Sequence, residues 1–530
     1  MKKSRQKVDA KTLGSPRVPA PPLLSVPLLA LLVGLLTFAL YVPSLSSGFV
    51  YDAEAQILID PYLHDRSHFA DVLSYRVLAH DVLDGNRPVQ LLSLMMDSLL
   101  WGKSPFGYHL TSNLLHACNA ALLFLIMVRL ATGASGVRWA AAVSVLLFAA
   151  HPLLVEPVAE VSCREDLLAT FFVLATVFMA MVFGEKTGRS SWWLAVGCQL
   201  AVCLACGSKE SGVVAPVLIL LYWGIFRRRD TVGKWLGLAV SALAVAGLFF
   251  AARFALQPSD SQIFLNRPEY LGGSLEMAMK IQPRIWAFSI GSIFWPAKLS
   301  ALYVAQNVLV FSISWTVLVL AVFLLLQAVA GWKSRIALFG VAVFWLGLAP
   351  VSNLIPIYRP VADRYLYLPL AGLAITVFGF LVWVSARKKL LPTLLVGGSC
   401  LGLVLVSLAW RRQAVFANSL NLWTDTFAKS PYSDSAANNL GYALLERRDY
   451  RDALKKFEVA VRLAHGKEPN AWAGAALALE KLGQPSEAQA ALRRAIEIDA
   501  MYANPPQLVK SLRFTPEQAA VIAVILQRSE

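Results

Sequence analysis

LLSVPLLALLVGLLTFALYV, residues 23–42, is a run of twenty residues without a single charge. About 20 apolar residues are what a helix needs to cross the hydrocarbon core of a bilayer. Only helices and closed barrels can satisfy their backbone polar groups there. The run therefore reads as a membrane-spanning helix. A basic stretch precedes it (Lys2, Lys3, Arg5, Lys7, Lys11, Arg17), as in a signal peptide, but the run is longer than a cleavable apolar core usually is. It is expected to remain as an uncleaved first span. Ten further runs approach the same length: residues 109–130, 137–155, 167–184, 192–207, 212–226, 236–256, 309–330, 336–356, 366–386 and 391–410. The expected fold class is all-α, a polytopic bundle of about eleven spans.

Composition agrees. Of 530 residues, 57% are hydrophobic and 15% charged, which excludes a single water-soluble core. The net charge of +15 comes from short Lys/Arg clusters beside apolar runs rather than one long basic face, so no nucleic-acid partner is expected. The six cysteines (Cys118, Cys163, Cys198, Cys203, Cys206, Cys400) sit mostly in apolar runs without zinc or disulfide spacing and read as small packing residues.

Orientation follows from the excess of Lys and Arg in short cytoplasmic loops. With eleven spans, the N-terminus (1–22), Arg129 with Arg138, Lys186 with Arg189, Arg227–Arg229 with Lys234, Lys333 with Arg335, and Arg387–Lys389 all fall on the cytoplasmic side. The count requires Ile285–Tyr303, broken by Pro296 and Lys298, to be re-entrant or interfacial, and it leaves Arg411 and Arg412 against the rule. The long loop 44–108, the segments 151–166, 208–211, 257–284 and 358–364, and the C-terminal region then face the other side.

The expected domains are the basic N-terminus 1–22, a membrane domain 23–411 with the external loop 44–108, a linker 412–432, and helical repeats 433–530. Residues 434–466 and 469–502 align at an offset of 35, close to the tetratricopeptide period of 34. Leu440, Gly441, Ala453, Phe457 and Ala460 take the packing positions of one unit; Trp472, Ala488, Leu492 and Ala495 take those of the next. The tail 505–530 reads as a third unit or as capping helices, and the whole could also be plain packed hairpins.

Several charged groups stand where the chain leaves the membrane. Asp52 and Glu54 follow the first span, where a carboxylate can take the proton of an attacking hydroxyl and stabilise positive charge on a sugar; acids also simply keep loops soluble. His151, Glu156, Arg164 and Asp166 mark the ends of the third and fourth spans. Ionisable groups there are costly unless paired or solvated, which favours a polar cavity. His151 and Glu156 could bind a metal, but two ligands at this spacing are a weak signal against a structural His–Glu hydrogen bond; Arg164 has the fork geometry for phosphate. Lys209 and Glu210 interrupt two apolar runs, either as an ion pair or as part of a site. Arg364, flanked by Tyr365 and Tyr367 as interfacial anchors, is again a cation on the side where few are expected. The alternative for the two arginines is pairing with their neighbours Asp166 and Asp363.

The blocks FVYDAEAQILIDPYL, NRPVQLLSL, GYHLTSNLLHACNAALL, HPLLVEPVAEVSCREDLLA, SKESGVVAP and ADRYLYLP, in this order and followed by repeats, resemble the transmembrane and tetratricopeptide-repeat-containing O-mannosyltransferases and their bacterial relatives. The resemblance implies a GT-C membrane fold. It further implies a polyprenyl- or dolichyl-phosphate sugar as donor, mannose or another hexose, a protein hydroxyl as acceptor, and inversion at the anomeric carbon. The family's first loop usually carries adjacent acids after an aromatic residue; here Asp52 matches the first, Ala53 stands in the second place, and the acid returns at Glu54. Asp52 is thus the expected base, with Glu54 beside it. Arg164, Arg364 and Lys209 are expected at the donor phosphate, and His151, Glu156, Asp166, Glu210, Arg87 and His109 in support. No metal or other cofactor is expected. The repeats would bind the acceptor peptide, in the periplasm if the membrane is a bacterial inner membrane. Two other functions stay open, a non-catalytic scaffold presenting repeats and a ligase or polymerase of lipid-linked glycans.

Overall fold

The computed structural model describes residues 25–80, 82–131, 136–256, 268–309, 312–385, 390–511 and 514–528, all helix, turn or irregular chain with no strand among them. The basic N-terminus and the Arg387–Lys389 cluster lie outside these residues. Each of the eleven apolar runs becomes a helix. Seven are long and apolar enough to cross a membrane, and an eighth is the pair Val137–Ala149 and Pro152–Ala159, bent by 57°. The remaining three, Val26–Leu40, Glu210–Phe226 and Arg335–Val351, are apolar but shorter. The chain is an integral membrane protein with an all-helical fold. Residues 285–303 do not form a span of this kind: the helix Leu275–Phe294 ends at Trp295 and the chain then turns without regular structure.

The first span shows how sequence sets the surface. Ser25 caps it by accepting from the amide of Leu28, and Pro27 falls in the first turn, where its missing N–H costs nothing. Leu29, Ala30, Val33, Gly34 and Thr37 face the bundle, while Leu31, Leu35 and Leu36 are exposed on the opposite side, as a lipid-facing stripe requires. Small residues govern the closest packing in the bundle. Between helices Arg335–Leu348 and Tyr367–Val384, a methyl group added at Gly340 would lie 2.4 Å from the amide of Thr376, and one at Gly372 would lie 2.4 Å from that of Phe344. Backbone contact this close needs glycine, and it fixes where the short turn Asp363–Leu366 enters the membrane domain.

Loop 44–108 is a folded layer rather than a loose connection. Phe49, Ala53, Ile57, Val72, Leu94 and Tyr108 form its own apolar core, closed below by the helix Pro88–Trp101. Residues 412–432 contain the helix Ser419–Lys429, which joins the membrane domain to the repeats. Arg412, against the charge rule in sequence, is buried between two acids, Asp425 at 3.0 Å and Asp363 at 3.5 Å. Its charge is answered by protein, so it carries no orientation information.

The repeats are two antiparallel helix pairs, Asp434–Glu446 with Tyr450–Leu463 and Pro469–Lys481 with Pro485–Ile498. The starts of corresponding helices, 434 and 469 or 450 and 485, are 35 residues apart. Phe457 wedges between Gly441 and Gly474, where an added methyl would lie 2.7 and 2.3 Å from its ring. The tail ends in the helix Pro516–Gln527, started by a reciprocal cap between Thr515 and Gln518. Its Ile522 and Ile525 bury against the second pair, so the segment closes the apolar end of the stack.

Candidate active site

Asp52 and Glu54 stand in one cavity of about 300 Å³ between the folded first loop and the repeats. Its walls include Tyr51, Asp52, Glu54 and Arg359 on the membrane-domain side and Glu446, Asn470 and Gln518 on the repeat side. Tyr51 adopts a left-handed backbone, φ 59°, which non-glycine residues avoid and which the surroundings must hold in place. They do so on several sides. The Tyr51 ring packs edge-on against Trp423, 5.2 Å between centroids, and Arg359 lies over its face at 4.4 Å. Gly48 donates to the carbonyl of Ala417 at 3.0 Å, tying the loop to the start of the linker helix.

The Asp52 side chain keeps 47% of its surface open to the cavity, with Nη2 of Arg359 at 3.9 Å. Crowding by the protein walls pushes its pKa up to about 6, against the opposing pull of Arg364; the acids Asp84, Glu165 and Glu156 add to the rise. Glu54 accepts a hydrogen bond from the Ser419 hydroxyl. Burial raises its pKa to about 7 despite that bond, with Glu446 of the first repeat adding repulsion. Both carboxyls therefore titrate close to neutrality, as a proton acceptor at working pH should. Arg359 has its pKa lowered to about 10 by burial and by the nearby Arg364. Its Nη1 is buried with no hydrogen-bond partner among the described residues.

The other sequence candidates divide into two groups. Near Asp52, Lys209, Asp166, Arg87 and Glu210 belong to one charged network joined through Glu165, and Arg364 with Glu156 forms a separate pair beside it. Arg364 pairs with Glu156 at 2.6 Å, and its amide donates to the same carboxylate at 3.1 Å. Lys209 reaches Asp166 at 2.5 Å and Glu165 at 3.6 Å, with its ammonium 5.3 Å from the Tyr365 ring. Arg87 joins Asp84 at 2.6 Å, Glu165 at 3.3 Å and Glu210 at 3.5 Å, and Arg253 meets Glu210 at 2.9 Å. Lys209 and Glu210 thus bond outward rather than to one another.

Arg164, His109 and His151 stand apart from that network in their bonding. Arg164 is fully buried, with Asp97 at 2.6 Å and further bonds to Ser93, Ser112 and the carbonyl of Tyr108. Every branch of its guanidinium is occupied by protein. His109 donates to the carbonyl of Gly48 at 3.2 Å, and His151 to that of Ile293 at 2.9 Å. Neither arginine pairs with its sequence neighbour; Asp363 instead accepts from Tyr303 at 2.6 Å. Tyr367 is no interfacial anchor, being fully buried against His116 at 2.7 Å. No group of three potential metal ligands occurs among the described residues.

Three residues stand out among those that escaped the sequence reading. Arg359 follows the same logic as Arg364, a cation on the unexpected side, and was there to be found. Asp97, the one acid in PVQLLSLMMDSLLW, was signalled by its apolar surroundings. Glu160 lies among the quoted blocks but gave no sign of its partners.

No family model matches the chain. It is 32% identical over 198 residues to Protein O-mannosyl-transferase Tmtc2 of Drosophila melanogaster, a match covering 35% of this chain and 20% of that protein. It is 23% identical over 443 residues to Protein O-mannosyl-transferase F38B6.6 of Caenorhabditis elegans, covering 80% and 61%. The chain spans less than two thirds of the length of either relative. Among solved structures, a crystal structure of ArnT from Cupriavidus metallidurans bound to undecaprenyl phosphate aligns over 94% of this chain and 88% of that one, at 16% identity and a TM-score of 0.38, a likeness too loose to carry an argument. By the order of its sequence blocks and by the long match to the nematode protein, the chain is similar to proteins named protein O-mannosyl-transferases.

Proposed function

We propose that the chain transfers a hexose from a polyprenyl-phosphate donor to a hydroxyl of a polypeptide, on the face of the membrane where the repeats stand. The observation that carries this is the sharing of one cavity by Asp52, a carboxylate with its pKa raised to about 6, and Arg359, a half-buried cation whose Nη1 is buried and unused. A phosphate ester is what such a guanidinium lacks.

In this reading the acceptor oxygen attacks the anomeric carbon as the carbon–oxygen bond to phosphate breaks. Asp52 takes the hydroxyl proton, and the polyprenyl phosphate leaves with the bonding electrons and inversion at carbon. Arg359 meets the phosphate, and Arg364, held by Glu156, supports the developing charge from beside it. The polyprenyl chain suits a second, apolar cavity of about 250 Å³ lined by Ile281, Ile285, Val308, Pro360 and Val361, the last two directly following Arg359. On the opposite wall, Glu446, Asn470 and Gln518 offer polar groups to an acceptor segment lying across the repeats. Arg164 takes no part at the phosphate.

The test is intact-mass profiling of extracytoplasmic proteins from cells with the gene deleted, then complemented with the wild-type chain or Asp52→Asn. Hexose-sized increments should return with the wild type, and the variant should reduce turnover by about 10²-fold or more. Full restoration by a normally inserted Asp52→Asn chain rejects the assignment.

A further inference from the structure

Glu160 is the least exposed acid near the site, at 0%, and it lies between two short helical turns, Val155–Ala159 and Val161–Cys163. Its Oε1 accepts from three donors: the amide of Ala53 at 3.3 Å, the amide of Ser162 at 3.2 Å and the hydroxyl of Ser162 at 2.5 Å. Its Oε2 has no partner among the described residues. Ala53 directly follows Asp52, and its amide also donates to Val50 at 3.2 Å, closing the turn whose second residue is the left-handed Tyr51.

We propose that Glu160 is a positioning residue for Asp52: by holding the amide of Ala53 from the second external segment, it fixes the strained turn that aims the Asp52 carboxylate into the cavity. The inference rests on the reading of Asp52 as base. A left-handed tyrosine is strained and persists only where its surroundings over-determine it. Trp423 and Arg359 hold the Tyr51 ring from above; Glu160 holds the backbone from below. Without it the turn can relax, and a base displaced by about 1 Å can lose on the order of 10²-fold in rate.

The split between its two oxygens also sets its charge. A buried carboxylate with one oxygen taking three bonds and the other none would leave half of its charge unsolvated, which is costly. A neutral carboxyl, with the proton on Oε2, suits this setting, and burial with the acids Asp52 and Glu54 holds the Glu160 pKa well above the ordinary range. The groups that act on it are Ser162, Asp52 and Glu54; on the next turn it faces Cys163, on which the Arg364 guanidinium also acts. A neutral Glu160 lets Asp52 ionise near pH 6, where a charged one would push it higher.

The experiment uses the full-length chain in detergent or nanodiscs, with Glu160→Ala and Glu160→Gln. Hydrogen exchange of the segment 49–56 reports the turn without any substrate. It should quicken in Glu160→Ala and keep wild-type protection in Glu160→Gln, whose amide oxygen still accepts from Ala53. Transfer from polyprenyl-phosphate mannose to a Ser/Thr peptide should fall in kcat by at least about 10-fold in Glu160→Ala, with the donor KM little changed. Glu160→Gln should rescue most of that loss and leave the acid limb of the pH profile in place. Unchanged exchange in Glu160→Ala overturns the proposal. So does an acid limb that moves to lower pH in Glu160→Gln, because that shift would reveal a charge on Glu160 in the wild type. Full activity of Asp52→Asn in the same assay would instead defeat the base assignment while leaving the exchange result to stand.

Discussion

Asp52 and Glu54 sit in the same cavity, and their titration separates them. With a pKa of about 6 for Asp52 and about 7 for Glu54, a base role for one or the other puts the acid limb of kcat/KM at different places, since that profile reports the free enzyme. The sign is fixed by the role. A base works ionised, and a raised pKa keeps the proton on to higher pH, so activity is lost as pH falls through the raised value. If Asp52 is the base, about nine tenths of it is ionised at pH 7 and about one tenth at pH 5, so kcat/KM should fall roughly 10-fold across that interval. Glu54→Gln should then leave the midpoint near 6, or slightly lower, and Ser419→Ala should do little to it. The assay is transfer from polyprenyl-phosphate mannose to a Ser/Thr peptide by the purified chain between pH 4.5 and 8. A midpoint near an ordinary aspartate, about 4, would refute the crowding argument for Asp52. A midpoint near 7 that disappears in Glu54→Gln would hand the base role to Glu54.

Arg359→Lys keeps the charge but loses the fork, and should raise the donor KM about 10-fold while leaving acceptor KM nearly unchanged; equal effects on both would remove Arg359 from the phosphate. Gly340→Leu drives a side chain into the backbone of the neighbouring helix and should cost about 1–3 kcal/mol, read as a lower melting temperature of the solubilised chain; an unchanged midpoint would deny the close contact. Single cysteines at the exposed positions Ser435 and Arg228 should label from opposite faces of the membrane, and labelling of both from one face would break the count of eleven crossings.

The helical runs were legible because twenty consecutive apolar residues leave little choice of structure. Even the interruption after Phe294 was visible, since Pro296 and Lys298 are unlike a span. The repeats were legible through their period. Site partners were not, because partners of this kind are separated by long stretches of chain. Arg164 and Arg364 look alike in sequence, each a lone cation at the start of an apolar run. One meets Asp97 from the helix under the first loop and is sealed; the other meets Glu156 and remains beside the cavity. The difference lies in which helix packs alongside, and no local pattern encodes it. Glu160 was hidden for the same reason, since its role depends on an amide 107 residues away.

The bonds from Gly48 to Ala417 and from Glu54 to Ser419 have a consequence for how such a chain can change length. The cavity wall takes Glu446 from the first helix pair, Asn470 from the second and Gln518 from the closing helix, so the stack cannot be exchanged, shortened or shifted without disturbing the carboxylates it faces. Growth is free only outward of the closing helix Pro516–Gln527, on surfaces that do not line the cavity. A longer array would reach outward from a fixed first unit, changing which polypeptides are gathered while leaving the last few ångströms of their approach the same.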